Sequence, residues 1–432
     1  MKGKNMAENF LSRRKFFKWG GGVLAASTVL PRTLPGLEAA QSNHGIPADG
    51  EDYYSKLNLT PFINAAGTYT YLTASTMPPQ VRAAVNRAAL SPVNLIDLQK
   101  AAGEYLAKQL RCEAVLVSDG AASAVTLSTA ACITRGRKEA VLNVPTGMTD
   151  LPNEVLIQKE HRYEYDHAIR CCGVRMVEVE TLEEYDRAFT PRTAMAHFFN
   201  AAQGGQISRE DWVRIAHKHG VPASNDAAAD VPPKSHLWDY TQMGFDLVQI
   251  SGGKGLRGPQ NSGLLLGRKE LIEAAALNNN PNSDTVGRGM KVSKEQIIGL
   301  VAAVDWFLSQ DEAAMEKEFQ KRAELIAAAV GRIPSVKTHI FVPPVANNVP
   351  HLLITYDLKR LKVTAKEVQS QLRHGTPSIE LNPATGSEHD GLMKGLPMGP
   401  NAIVVGVWMM LPGQDAMVAR RLHEVLSKAS EA

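Results

Sequence analysis

A single lysine in a glycine-studded loop constrains this chain more than any other feature. Leu247–Ile250 is a short apolar, β-branched run that reads as a buried strand. The loop Ser251-Gly252-Gly253-Lys254-Gly255-Leu256-Arg257-Gly258-Pro259-Gln260 follows it directly. Glycines on both sides let the backbone turn sharply and let a flat ligand approach closely. A lysine held there suits Schiff-base chemistry, because partial desolvation lowers its pKa and frees the amine to attack a carbonyl. The alternative is a surface lysine in a Gly-rich turn, and the residues upstream weigh against it.

Val221 to Ser224 carries a strand signal that ends on Asp226, followed by the small residues Ala227, Ala228 and Ala229. Pyridoxal phosphate needs a lysine for its aldehyde, an acid against its ring nitrogen and an anion cradle for its phosphate. Asp226 suits the acid, since an ionised carboxylate keeps the pyridine nitrogen protonated. Ala228 returns to the same strand face and is small enough to lie under a ring. The cradle is Ser118-Asp119-Gly120-Ala121-Ala122-Ser123-Ala124, after the strand signal Ala114–Val117 and at the start of a small-residue helix. Free N–H groups and the helix dipole bind phosphate there without a cationic side chain. Cradle, acid and lysine, in that order and each at a strand end, argue together for the cofactor.

With these residues in view the chain resembles the fold-type I pyridoxal phosphate enzymes. Within them it resembles the branch that holds bacterial selenocysteine synthase and D-glucosaminate-6-phosphate ammonia-lyase. Ile63-Asn64-Ala65-Ala66-Gly67-Thr68, the Ser118–Ala124 loop, His161-Arg162 with Tyr165-Asp166, Asp226-Ala227-Ala228 and Ser251-Gly252-Gly253-Lys254 with Gly258-Pro259-Gln260 carry it. Lys291-Val292, Lys294-Glu295 and Gly299-Leu300 extend it, so that it spans Leu59 to Leu426. The resemblance implies an enzyme acting on an amino acid or amino-sugar acid, with ammonia-lyase chemistry. It also implies a homo-oligomer, a dimer or a multiple of dimers, whose N-terminal arms help to build the neighbouring subunit's site.

Residues 1–40 read as an address. Ser12-Arg13-Arg14-Lys15-Phe16-Phe17-Lys18 is a twin-arginine motif, and the apolar run Trp19 to Leu30 is too short to span a membrane. Passage through the twin-arginine translocase to the periplasm is expected, with cleavage near Ala39 or an uncleaved anchor. This segment holds seven Lys and Arg against two Glu, while the whole chain is +3, which leaves about −2 for the remainder. No basic run remains for a tRNA, so a nucleic-acid partner is not expected. Cys112, Cys132, Cys171 and Cys172 form no disulfide framework, and no Cys/His spacing suggests zinc.

Residues 41–62 read as an arm, 63–290 as the cofactor-binding domain, and 291–432 as linking helices with a smaller C-terminal domain. Helices are expected from Pro78 to Leu90, with Thr76 as N-cap, and from Ile96 to Leu110. Beyond the cradle helix come strands Ala140–Val144, Val174–Val179 and Ala194–Phe199, with helices Tyr165–Cys172 and Ser208–His219. This alternation predicts an α/β fold with a mainly parallel sheet, binding its cofactor at the carboxyl ends of the strands. The second domain reads as α+β, with strands near Val336–Val342, Leu352–Tyr356 and Ile403–Trp408.

Several side chains carry a functional reading beside a structural one. His161 either stacks on the cofactor or moves protons, or is a hydrogen-bonded structural histidine. Gln203 reads as a donor to the cofactor's phenolic oxygen, and Ser251 as a phosphate contact. Arg257, then Arg373, are candidates for a substrate carboxylate, which favours a forked guanidinium. The chemistry expected is α-proton abstraction by Lys254 and departure of a β-leaving group, giving a 2-keto acid and ammonia. Racemisation, aldol cleavage, transamination and selenium transfer stay open, as does a non-catalytic binding protein, for which Lys254 and Asp226 together have no chemical need.

Overall fold

The computed structural model describes residues 52–202, 205–388, 393 and 395–431. The export motif and Gln203 therefore lie outside the described residues. The chain divides into two units, 1–59 and 60–432. In the first, the short helix Tyr53–Lys56 is capped by Asp52, whose carboxylate accepts from the Tyr54 N–H.

In the second unit the strands run β1 (Phe62–Ala65), β2 (Ala114–Ser118), β3 (Glu154–Gln158), β4 (Arg175–Val179), β5 (Thr193–Phe199) and β6 (Ala223–Asp226). They continue as β7 (Leu247–Ser251), β8 (Gly263–Gly267), β9 (Lys337–Phe341), β10 (His351–Thr355), β11 (Ser378–Leu381) and β12 (Ala402–Gly406). Seven form one sheet in the order β2-β8-β7-β6-β5-β3-β4. Its neighbours are parallel except around β8, which runs against both β7 and β2. Leu247, Val248, Gln249 and Ile250 are all buried, as a central strand covered on both faces requires. The buried Gln249 donates to Ser224 Oγ on the neighbouring strand at 3.1 Å and to Ser128 Oγ on the covering helix at 2.8 Å. The mainly parallel α/β sheet is the fold class expected.

One helix–strand assignment differs. Lys138–Asn143 is a helix, where Ala140–Val144 reads as a strand. Ala140, Val141 and Val144 are buried and Leu142 is exposed, a helical rather than an alternating pattern. The strand that pairs beside β5 comes later, as β3. Thr76 does not cap the helix Pro79–Ala89, whose N-cap is Pro78. Cys171 and Cys172 are free thiols at the end of the short helix His167–Arg170.

Two smaller sheets lie in the C-terminal part of the fold, β12-β10-β9 and β1-β11. β1 comes from the start of this unit and pairs in parallel with β11, Phe62 opposite Ser378. The two strands share a core with Leu352, Ile354, Ile403 and Val405. Among the described residues no helix is long and apolar enough to cross a membrane.

Candidate active site

The carboxyl ends of β2, β6 and β7 bring the three sequence candidates to one edge of the sheet. Asp226 ends β6 and Ser251 ends β7, and the ladder continues past both: Ala227 N–H donates to Gln249 O at 3.0 Å and Ser251 N–H to Ala228 O at 3.3 Å. Ala228 is thus fixed beside the start of the lysine loop.

The glycines of that loop serve close packing within the protein. None of Gly252, Gly253, Gly255 and Gly258 has a positive φ; the left-handed residue is Arg257, at 56°. A Cβ on Gly255 would stand 1.9 Å from Val231 O, and one on Gly253 2.6 Å from the Gln260 backbone. The segment 70–76 holds the loop at three points. Ser75 Oγ donates to Gly253 O at 2.6 Å, Arg257 Nε to Thr76 O at 2.9 Å and Gln260 Nε2 to Thr70 O at 2.7 Å.

Lys254 keeps part of its surface accessible, yet the surrounding protein pushes its ammonium below the ordinary lysine range. Desolvation is the main cause, opposed by the charges of Asp226 and Asp230. Asp226 is buried, and desolvation raises its carboxyl above the usual range against three opposing influences. These are the Tyr163 hydroxyl, the Ala228 N–H and the charge of Lys254. Tyr163 Oη donates to Oδ2 at 2.6 Å and Ala228 N–H to Oδ1 at 3.1 Å. Each carboxylate oxygen keeps a lone pair for a further donor.

At the cradle the helix Gly120–Thr134 begins without a side-chain cap from Asp119, so its first N–H groups have no helical partner. Gly120 has a φ of +84°, and nothing lies within 4 Å of where its Cβ would be. Ser123, in the first turn beside Ala121 and Ala122, is buried with no hydrogen-bond partner for Oγ among the described residues. Uncapped N–H groups and an unpartnered hydroxyl suit an anion. A desolvated lysine, a buried carboxylate with spare acceptor capacity and this cradle together fit pyridoxal phosphate.

The secondary candidates divide. His161 Nδ1 accepts from the Phe199 N–H at 3.3 Å, its Nε2 lies 3.3 Å from Gln158 Nε2, and its ring meets Phe198 edge-on at 4.4 Å. Tyr163 instead stacks on Phe199 at 3.8 Å. Phe198 and Phe199 point to opposite faces of β5, so the His161 and Tyr163 rings pack on different strand partners, and only Tyr163 reaches Asp226. Its surroundings are those of the structural reading. Tyr163 is the residue that sequence reasoning missed; the aromatic-rich turn was the available signal. Arg257 is held by Thr76 and lies 5.6 Å from the Trp306 ring centroid, and no carboxylate pairs with it among the described residues. Arg373 is already paired with Glu380 at 3.0 Å.

The profile of the L-seryl-tRNA selenium transferase family matches residues 62–320, more than half of the chain. The chain belongs to that family. The D-glucosaminate-6-phosphate ammonia lyase of Salmonella typhimurium (strain 14028s) is 27% identical over 88% of this chain and 99% of its own. A Streptomyces 5'-C-glycyluridine monooxygenase-decarboxylase is 29% identical over 86% of this chain and 92% of its own. The solved structure of a D-glucosaminate-6-phosphate ammonia-lyase superposes with a TM-score of 0.74 at 26% identity, covering 88% of this chain and all of the other. A NifS-like protein shares the fold alone, with a TM-score of 0.55 at 13% identity. This member of the selenium transferase family is an enzyme, and its cofactor is pyridoxal 5'-phosphate.

Proposed function

We propose that this protein removes ammonia from an amino acid or amino-sugar acid that carries a β-leaving group, yielding a 2-keto acid. The observation that carries the reading is the pairing of a desolvated Lys254 with a buried Asp226 at adjacent strand ends. The near full-length likeness to an ammonia lyase supports it. When bound, the cofactor supplies an aldehyde for the substrate's amine and a ring that accepts electron density. Lys254 would hold that aldehyde at rest, and its free Nζ would take the α-proton. A lowered pKa leaves more of that amine neutral than in an ordinary lysine. Asp226 holds the ring nitrogen's proton by its charge, and Gly120 to Ser123 bind the phosphate. For a β-hydroxy substrate, water leaves and is then added back as ammonia departs, so the net change is loss of ammonia.

Residues 1–40 carry the basic charge and the remainder has about −2. A small-molecule substrate fits that balance better than tRNA does. We propose, on the Ser12–Lys18 motif, that the protein is exported and works in the periplasm as an oligomer.

A panel of D- and L-amino acids, including β-hydroxy acids and amino-sugar acids, tests the reading, with keto acid and ammonia as readouts. Stoichiometric release of both from at least one member is expected. Carbon dioxide release with oxygen uptake and no ammonia would contradict it and favour the chemistry named for the Streptomyces relative.

Ser123 offers a narrower check. Ser123→Ala is expected to leave the cofactor-free unfolding midpoint unchanged, because the hydroxyl has no protein partner to lose. It is expected to weaken pyridoxal phosphate binding about tenfold, the scale of one hydrogen bond to a charged group. Unaltered affinity in an equilibrium titration would remove Ser123 from the cradle.

A further inference from the structure

Asp226 carries a net negative charge to its task only if it stays ionised, and burial works against that. The chain opposes this burial with a side chain from a turn far away in sequence. Tyr163 lies between two single 3-10 turns, Lys159–His161 and Glu164–Asp166, with an extended backbone that swings its ring back over the sheet end. The ring lies flat on Phe199, at 3.8 Å and 11°, and Phe199 is the register partner of Asp226 across β5 and β6. This stack places Oη 2.6 Å from Asp226 Oδ2. His197, two residues before Phe199 on the same face, brings Nε2 within 3.3 Å of the same Oη, its ring nearly parallel to that of Tyr163.

The hydrogen count fixes the direction of this chain of contacts. An ionised carboxylate only accepts, so the single phenolic hydrogen goes to Asp226. His197 Nε2 must then carry a hydrogen and donate it to Oη. His197 is fully buried, and desolvation pushes its pKa down to about 3, so the ring is neutral and carries one hydrogen. His197 Nδ1 has no partner among the described residues, consistent with the hydrogen residing on Nε2. Were Asp226 protonated on Oδ2 toward Tyr163, every hydrogen in the row would reverse and the Nδ1–H would be buried with no acceptor, at a cost of about 1–3 kcal/mol; a proton on Oδ1 would instead compete with the Ala228 N–H. The geometry thus favours the ionised acid.

We propose that Tyr163, backed by His197, is a positioning residue that holds Asp226 ionised and aimed for a protonated ring nitrogen. This rests on the reading of Asp226 as the ring acid. The other charged or titratable groups that face the row are Lys254 from the β7 loop and Asp230 beyond β6. Asp166 faces Tyr163 and His197, and His161 faces His197. Lys254 favours the ionised acid, whereas Asp230 disfavours it.

Tyr163→Phe keeps the stack on Phe199 and removes only the hydroxyl. Losing a donor that favours the charged form raises the Asp226 pKa, so binding that needs the carboxylate is lost at higher pH than in wild type. The experiment is equilibrium binding of pyridoxal phosphate to cofactor-free protein across pH, for wild type, Y163F, D226N and the double variant. Y163F is expected to bind about tenfold more weakly at neutral pH (about 1.4 kcal/mol), with its acid-side midpoint moved up by about one pH unit. In the D226N background the same change is expected to have little effect, because the carboxylate it acts through is gone. Wild-type affinity and midpoint in Y163F would overturn the proposal, and so would a Y163F loss that persists in full beside D226N. If D226N itself binds and titrates like wild type, the underlying assignment of Asp226 fails instead. The midpoint of Y163F alone decides the case if D226N binds too weakly to measure.

Discussion

Lys254→Ala is expected to lose turnover by more than about 10⁴-fold, the order seen when a covalent nucleophile is removed, while the protein still folds. The residue has two tasks, to hold the aldehyde at rest and to move the α-proton, and no neighbouring group replaces either. Lys234 is committed elsewhere, donating to the Leu308 carbonyl at 2.8 Å. Lys294 is tied to Glu295. Stability should move little or rise, because burial disfavours the charged form of this ammonium. Single-turnover assays and a denaturant titration check both halves. A variant that unfolds, or one that keeps more than about a hundredth of wild-type turnover, would contradict the assignment.

Asp226→Asn is the second large effect. The amide has nearly the same shape: its oxygen can still accept from the Ala228 N–H, and its NH2 then meets the Tyr163 hydroxyl, which can turn to accept, so the fold should survive. What is lost is charge. Removing one partner of a buried, hydrogen-bonded charge pair costs about 2–5 kcal/mol, and turnover should fall by about 30- to several thousand-fold. The pH profile adds a test with a definite sign. The pKa of Asp226 is raised in the fold, so wild-type activity should fall as pH drops through that raised value and the carboxylate takes up a proton. D226N has no such group, and its profile should lose this acid limb. An acid limb retained in full would assign it to another residue.

How much of this was legible in the chain depended on how local each cause is. The cradle at Gly120, the acid at Asp226 and the lysine at 254 each follow a strand signal, and the parallel sheet brings strand ends together whatever the loops do. The aromatic turn was different. A single 3-10 turn has no period long enough to show which ring faces inward, so nothing separated His161 from Tyr163 before the partners were seen. The loop glycines were placed correctly, though for another reason. Crowding by Val231 and Gln260 depends on distant backbone, and the one left-handed residue is an arginine. The β1–β11 pairing joins residues more than three hundred apart, and four-residue strands leave no register signal. The six-residue helix at Lys138 looked like a strand because its apolar residues are adjacent, and only burial shows that they share a helical face.

The central claim is an imine between pyridoxal phosphate and the side chain at 254. Borohydride reduction of the cofactor-loaded wild-type protein, followed by peptide mass analysis, tests it most directly. The account predicts a pyridoxyl group on the peptide that contains Lys254 and on no other. No added mass there, or the label on a different lysine, would contradict it.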